Sequence, residues 1–363
     1  MNYRRATILA EKSITAAGTE VIPIREGKPI SRIDIAWRVT KASTNNQMMA
    51  QPAADITKIE LIDGSDVLFS LSGYEAQALC IYDRKVPTMN YGQHIASSYE
   101  FSTYGIDFGR MLWDKHLALD PSKFTNLVLN ITHNLAVADT GATQAYLEVM
   151  AHIFDEKVIT PIGFLSAKEI FAFTPGADGA YEYIALPTDY VMRQLLVRGF
   201  YIAYDPHEVI EGLKLDEDND ARVPLDMDME DYSRYCKGVM TPVQEQCVGY
   251  IHTGADHIFY VTPTDMCCVE AGLGIGNSTS PVYVNSYPRG GQVDARCAES
   301  VMFVAKVFGW LPNHCWSIPF GDQQDLDDWY DVTRVGHLRL RLESGTYGNS
   351  GTSQVVTQQL RRY

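Results

Sequence analysis

The densest group of chemically capable side chains is the acidic run Asp216-Glu-Asp-Asn-Asp220. It puts Asp216, Asp218 and Asp220 at the first, third and fifth places of a possible calcium loop. The glycine and the distal glutamate that such a loop needs are replaced by Ala221 and Met227. The run is therefore a weak calcium candidate, and it reads better as a solvated turn between two strands. The nine histidines are scattered, and His252 and His257 would face opposite sides of a strand, which makes them a poor metal pair. Gly272-Leu-Gly-Ile-Gly lacks the third glycine and the βαβ setting of a dinucleotide fingerprint. No Gly-x-Ser-x-Gly elbow and no phosphate-binding Walker loop occurs. Paired carboxylates for glycosidic cleavage remain open, because 45 acidic residues offer many pairs and geometry alone selects among them. No catalytic residue and no cofactor is assigned from these patterns.

The seven cysteines, Cys80, Cys236, Cys247, Cys267, Cys268, Cys297 and Cys315, are odd in number and contain no Cys-x-x-Cys pair. That argues for reduced, mostly buried thiols made in a cytoplasm rather than a disulfide framework or a zinc site. A net charge of -15 disfavours an extended nucleic-acid surface, since phosphate binding needs a basic face. Direct sequence-specific nucleic-acid binding is not expected. Arg4-Arg5 and Arg361-Arg362 are the two local basic spots. No apolar h-region follows Arg4 and Arg5, and no run reaches the length of a membrane span. Hydrophobic residues make up 46% and charged residues 21% of 363 positions, enough for two domains with their own cores. The 21 Tyr and 16 Pro favour strands and turns.

The elements that position these residues occur twice. Ile56-Thr-Lys-Ile-Glu-Leu-Ile-Asp-Gly-Ser-Asp-Val-Leu-Phe-Ser-Leu71 reads as strand, turn, strand. Shifted by 154 positions it meets Ile210-Glu-Gly-Leu-Lys-Leu-Asp-Glu-Asp-Asn-Asp-Ala-Arg-Val-Pro-Leu225, with the apolar positions and the acidic turn aligned. A short amphipathic helix follows each copy, through Tyr74, Ala78 and Tyr82 in the first and Met229, Tyr232 and Cys236 in the second. Ile106-Asp-Phe-Gly109 then matches Ile318-Pro-Phe-Gly321, and Phe124–Ile131 matches Val335–Leu342. Both copies end on an alternating strand, Gln144–Phe154 and Ser353–Leu360. The sequence thus divides into an N-terminal arm over 1–15, a first domain over 16–155, a linker over 156–168 and a second domain over 169–363. From Ile59 to Ile106 is 47 residues, whereas from Leu213 to Ile318 is 105, so the second copy carries 58 more. This excess forms a long insertion around 240–300. Its Gly/Ser/Asn-rich stretches, Gly272–Pro281 and Tyr287–Gly291, suggest exposed loops. The fold expected is all-β: a tandem double jelly roll of two eight-stranded β-sandwich domains with short flanking helices.

On the tandem organisation, and on the style of Ile59–Leu71 and Asp120–Ile131, the chain resembles the double jelly-roll major capsid proteins of tailless icosahedral viruses. It looks most like those of membrane-containing bacterial viruses of the tectivirus and corticovirus groups. The resemblance implies a homotrimer whose six jelly rolls form a pseudo-hexagonal capsomer in a virion shell. It also implies contacts with neighbouring capsomers and with penton, spike and minor capsid proteins, and an internal membrane contact through Arg4 and Arg5. The insertion is then an outward or intersubunit tower. Two other readings carry weight from the residues alone: a carbohydrate-active or carbohydrate-binding two-domain β-sandwich, and a minor spike or vertex protein of a virion.

Overall fold

The computed structural model describes residues 1–41, 49–86, 90, 92–95, 97–138, 141–251, 256–273, 282–284, 289–297 and 301–363. Two jelly rolls follow one another along the chain. In the first, β1 (Tyr3–Ile14), β9 (Gln144–Phe154), β3 (Ile30–Thr40) and β7 (Tyr99–Asp107) form one antiparallel sheet in that order. The facing layer is β2 (Gly18–Pro23), β8 (Leu127–His133), β4 (Ile56–Asp63) and β5 (Asp66–Leu71). Alternation makes the layers: in β3, Ile33, Ile35, Trp37 and Val39 are buried between the sheets while Arg32, Asp34 and Arg38 point outward. Trp37 also gives its indole N–H to the buried Asp55 at 3.0 Å, which satisfies the one polar atom it brings into the core.

The second roll repeats this order strand for strand. β10 (Gly163–Phe173), β23 (Thr352–Arg362), β12 (Met192–Phe200) and β21 (Cys315–Pro319) form one layer. β11 (Tyr181–Ala185), β22 (Leu338–Ser344), β13 (Ile210–Glu217) and β14 (Arg222–Asp228) form the other. Helix α1 (Gly73–Arg84) follows β5 and helix α2 (Met229–Val239) follows β14. Ser72 caps α1 with a reciprocal capping box to Glu75, and Asp228 caps α2. The Ile-x-Phe-Gly motif closes β7 and β21. At Gly321 φ is +67° and a Cβ would lie 2.1 Å from the Asp328 carbonyl oxygen, so only glycine fits there.

Two expectations need correction. Residues 3–14, read as part of a polar arm, are a strand bound to β9. Register shifts between Thr7 and Leu9 and between Leu9 and Lys12 break its alternation, which hides it in the sequence. The 156–168 linker is shorter in the structure, because β10 already begins at Gly163.

The insertion is built of sheet. β15 (Val243–Ile251), β17 (Pro263–Leu273) and β20 (Val301–Pro312) pair with one another, and the short β6 (Gly92–His94) of the first roll joins β15 in parallel. β16 (Asp256–Tyr260), β19 (Gln292–Cys297) and β18 (Val282–Val284) form a second small sheet. The insertion therefore runs to Pro312, beyond the 240–300 read from composition.

Candidate assembly surfaces

The acidic run forms the turn between β13 and β14. Arg339 holds the buried Asp216 at 2.9 and 3.1 Å. Lys214 reaches Asp220 at 2.5 Å, and Asp218 accepts the His337 backbone N–H at 2.8 Å. Protein cations and a backbone donor thus engage these three carboxylates, and no cluster of three or more metal-type ligands occurs among the described residues. His252 lies outside the described residues, as do 274–281 and 287–288 of the glycine-rich stretches. His257 is buried against Phe259. Cys80, Cys236, Cys247 and Cys315 are free and buried. Burial pushes the Cys80 and Cys315 thiols up to about 12 and that of Cys236 to about 11.

Arg4 is half-buried in β1, with Glu26 at 3.1 Å and Asp155 at 3.6 Å. Arg5, by contrast, is exposed. Tyr181 and Tyr183 are exposed on the outer face of β11, where Arg341 and Arg339 lie over their rings at 4.9 and 5.4 Å. A guanidinium group therefore lies over one face of each ring.

The most elaborated polar construction lies between the two rolls. β5 and β10 meet in parallel through Ser70 and Lys168, so one eight-stranded sheet runs from β2 to β21 across both rolls. Arg361 spans this seam to Asp66, one of its bonds measuring 3.0 Å. Ser166 donates its hydroxyl to the Leu68 carbonyl at 2.6 Å.

Over the same seam, α1 lies on the outer face of the second roll. Its Asp83 carboxylate accepts from Arg193 at 2.6 Å, Gln194 at 2.9 Å and Gln358 at 2.9 Å. Tyr82 donates to the Cys315 carbonyl at 2.6 Å, and Asn313 donates to Gln77 at 3.0 Å. Leu196, Val356, Phe164 and Ala167 of the second roll complete the first roll's core. Sequence reading missed this junction because its residues sit on faces that a single domain would leave in water. The signal available was the crowding of Gln and Arg within β12 (Arg193, Gln194, Arg198) and β23 (Gln354, Gln358, Gln359), two strands that also carry continuous apolar runs.

Glu169, at the seam, has a carboxyl pushed up to about 7 by burial and by the neighbouring Glu75 carboxylate. Glu75 is itself buried, with one oxygen receiving the Ser72 N–H at 2.8 Å and the other without a donor. Glu75 and Glu169 are one close acid pair among the described residues. Its members cap a helix and edge a seam, a structural placement.

The insertion is tied to the first roll by a second buried network. Glu245 accepts from the Thr262 N–H at 2.6 Å and from Gln51 at 3.2 Å, and Asn90 bonds both Gln51 and Thr262. Burial raises the Glu245 carboxyl above its ordinary range.

The surfaces that make the seam inside the chain have free counterparts. β1 and β14 are edge strands with no partner on their outer sides among the described residues. α2 exposes Tyr235 (60%) and Val239 (59%). A groove lined by Tyr82, Val86, Val239, Met240, Pro242 and Trp310 runs between the C-terminal ends of the two helices.

No family model matches this sequence, and no curated protein is similar to it. Solved structures are similar over the full length. The major capsid protein of bacteriophage PM2 matches with a TM-score of 0.57 at 9% identity, over 99% of this chain and 98% of that one. That of Sulfolobus turreted icosahedral virus matches with a TM-score of 0.59 at 11% identity, over 99% and 98%. PBCV-1 VP54, fitted into a reconstruction of the virophage Sputnik, matches with a TM-score of 0.57 at 10% identity, over 99% and 94%. The chain shares the double jelly-roll fold with these proteins.

Proposed function

We propose that this chain is the major capsid protein of an icosahedral virus, built as a homotrimer of double jelly rolls that tile the shell. The observation that carries the reading is the full-length match. Both rolls and the material between them align over 99% of this chain and 98% of the PM2 and Sulfolobus virus proteins, with no domain left over on either side. The internal chemistry agrees with a structural role. The strongest polar networks join one roll to the other and the insertion to the first roll, and buried thiols are held protonated. The role we assign is non-enzymatic. The subunit is made in the host cytoplasm and ends in the virion shell. Its partners are its own copies, then neighbouring capsomers, with penton, spike and minor proteins at the vertices. A lipid contact through Arg4 is not part of this reading, since Glu26 and Asp155 hold its charge within the subunit. The insertion forms a tower on one face of each second roll.

Light scattering on the purified protein tests the reading. A homotrimer has three times the 40.6 kDa chain mass, about 122 kDa, and keeps it on dilution. A stable monomer of 40.6 kDa would contradict it and favour the carbohydrate-directed alternative.

A further inference from the structure

The duplication lets the seam within the chain be read as a template for contacts the chain makes elsewhere. The register fixes the correspondence. In the first roll Ile33 pairs with Ile106 on one side and Ala151 on the other. In the second roll Leu195 pairs with Ile318 and Thr357 in the same way. The β-bulge falls at the same place in both, between Ile30 and Arg32 and between Met192 and Gln194. Thr357 therefore corresponds to Ala151, and Arg361, four residues on, to Asp155. Likewise Ile59 pairs with Leu71 and Leu213 with Met227, so Asp66 corresponds to Arg222 and Ser70 to Asp226. The two helices align through their caps, Ser72 on Asp228, which puts Val239 where α1 has Asp83.

These counterparts show what the free surfaces fit. The seam is crossed by the Asp66–Arg361 ion pair, and its counterpart positions hold Arg222, which is 66% exposed and meets Glu217 at 2.8 Å within the chain, and Asp155, which lies 3.6 Å from Arg4. The charges have exchanged sides, and they remain complementary. The exposed Asp226 stands where Ser70 meets β10, and exposed Arg5 lies on β1 beside Ala6, the counterpart of Lys168. Pro224, which has no N–H to offer a neighbour, is tolerated because β14 is an edge. On α2, Val239 is bare at the position of Asp83, which the second roll covers on α1, and Tyr235 one turn earlier is exposed as well.

We infer that the seam recurs between copies of this chain: β14 and α2 of one copy seat against the β1 edge and the outer β3–β9 face of the next, with Arg222 of the first meeting Asp155 of the second. The arrangement rests on the capsid reading, which supplies the second copy, and it says which surfaces of that copy are joined. Repeated from copy to copy, it alternates first and second rolls around a ring, so every roll uses the same kind of seam, one covalent and the next not.

Charge reversal tests it. Asp155→Arg and Arg222→Asp each place like charges across the predicted contact, and each is expected to weaken association about fivefold per contact. Over three contacts that compounds to on the order of a hundredfold in the concentration-dependent trimer equilibrium. The double variant, Asp155→Arg with Arg222→Asp, makes the contact complementary again and should associate more tightly than either single reversal even though its in-chain neighbours Arg4 and Glu217 are unchanged, which damage confined to one subunit cannot do. Asp155→Cys with Arg222→Cys is the companion measurement: oxidation should join chains into covalent trimers, while either single cysteine should not. A wild-type trimer that both single reversals leave unchanged, or that the double variant weakens further, overturns the seam and leaves the capsid reading standing. A wild-type protein that stays monomeric at every concentration overturns both.

Discussion

Replacing Asp83 by alanine removes the anchor of α1 on the second roll. Its carboxylate receives Arg193 at 2.6 Å and both Gln194 and Gln358 at 2.9 Å, with the Asp83 and Arg193 side chains only 5% and 3% exposed. Asp83→Ala leaves Arg193 with Gln358 as its one hydrogen-bond acceptor, at 2.7 Å, and no counter-charge. Breaking a buried pair in this way costs about 3–5 kcal/mol, most of it the desolvated charge left behind. Unfolding entropy near 2 cal/mol/K per residue makes this a fall of about 5 °C in Tm for a single cooperative transition. The core shared through Leu196 and Val356 remains, so the chain still folds. The assay is thermal and urea unfolding followed by tryptophan fluorescence. Asp83→Leu combined with Arg193→Met should recover most of the loss, because a packed apolar pair needs no desolvation of charge. A change in Tm below about 1 °C for Asp83→Ala, or no recovery in the double variant, would refute the view that this pair holds the rolls together.

Three further outcomes follow from the same junctions. Glu169 has its folded pKa raised to about 7 from an ordinary 4.5, so the fold favours the protonated acid. Its stabilising contribution is full below 4.5 and is lost as pH rises through about 7. The Tm gap between wild type and Glu169→Gln should therefore move in favour of Glu169→Gln from pH 5 to pH 8, and a pH-independent gap would refute the assignment. Glu245→Ala leaves the Thr262 N–H without its acceptor and Gln51 Nε2 with the Tyr260 carbonyl alone, at about 1–3 kcal/mol. Faster hydrogen exchange should then appear in β15, with the β8–β4 core unchanged. Cys80, Cys236, Cys247 and Cys315 should resist a thiol reagent at pH 8 in the native protein and react on unfolding, as read by peptide mass mapping.

Where one domain's logic sufficed, the sequence was legible. The Ile56–Leu71 and Ile210–Leu225 stretches, the helices after them and the Ile-x-Phe-Gly turns fall on the same elements of both rolls, because period-two burial and turn chemistry are local signals. The 58-residue excess located the insertion and missed its architecture, since β15, β17 and β20 pair over long sequence distances that no local pattern encodes. β1 was hidden by its bulges and by Lys12, Arg5 and Glu11 on an edge. The acidic run was legible as a turn; its partners Arg339 and Lys214 were not, because cross-strand neighbours are set by register. The roll-to-roll seam was the least legible part. Asp83, Arg193 and Gln358 read as surface residues until the second roll is placed beside the first.

The most direct test of the central claim is electron microscopy of the purified assembly. Class averages should show a three-fold particle with six lobes, and an extra projection on alternate lobes, because only the second roll of each chain carries the Val243–Pro312 insertion. A two-fold particle, or a single chain with two lobes at every concentration, would contradict the account.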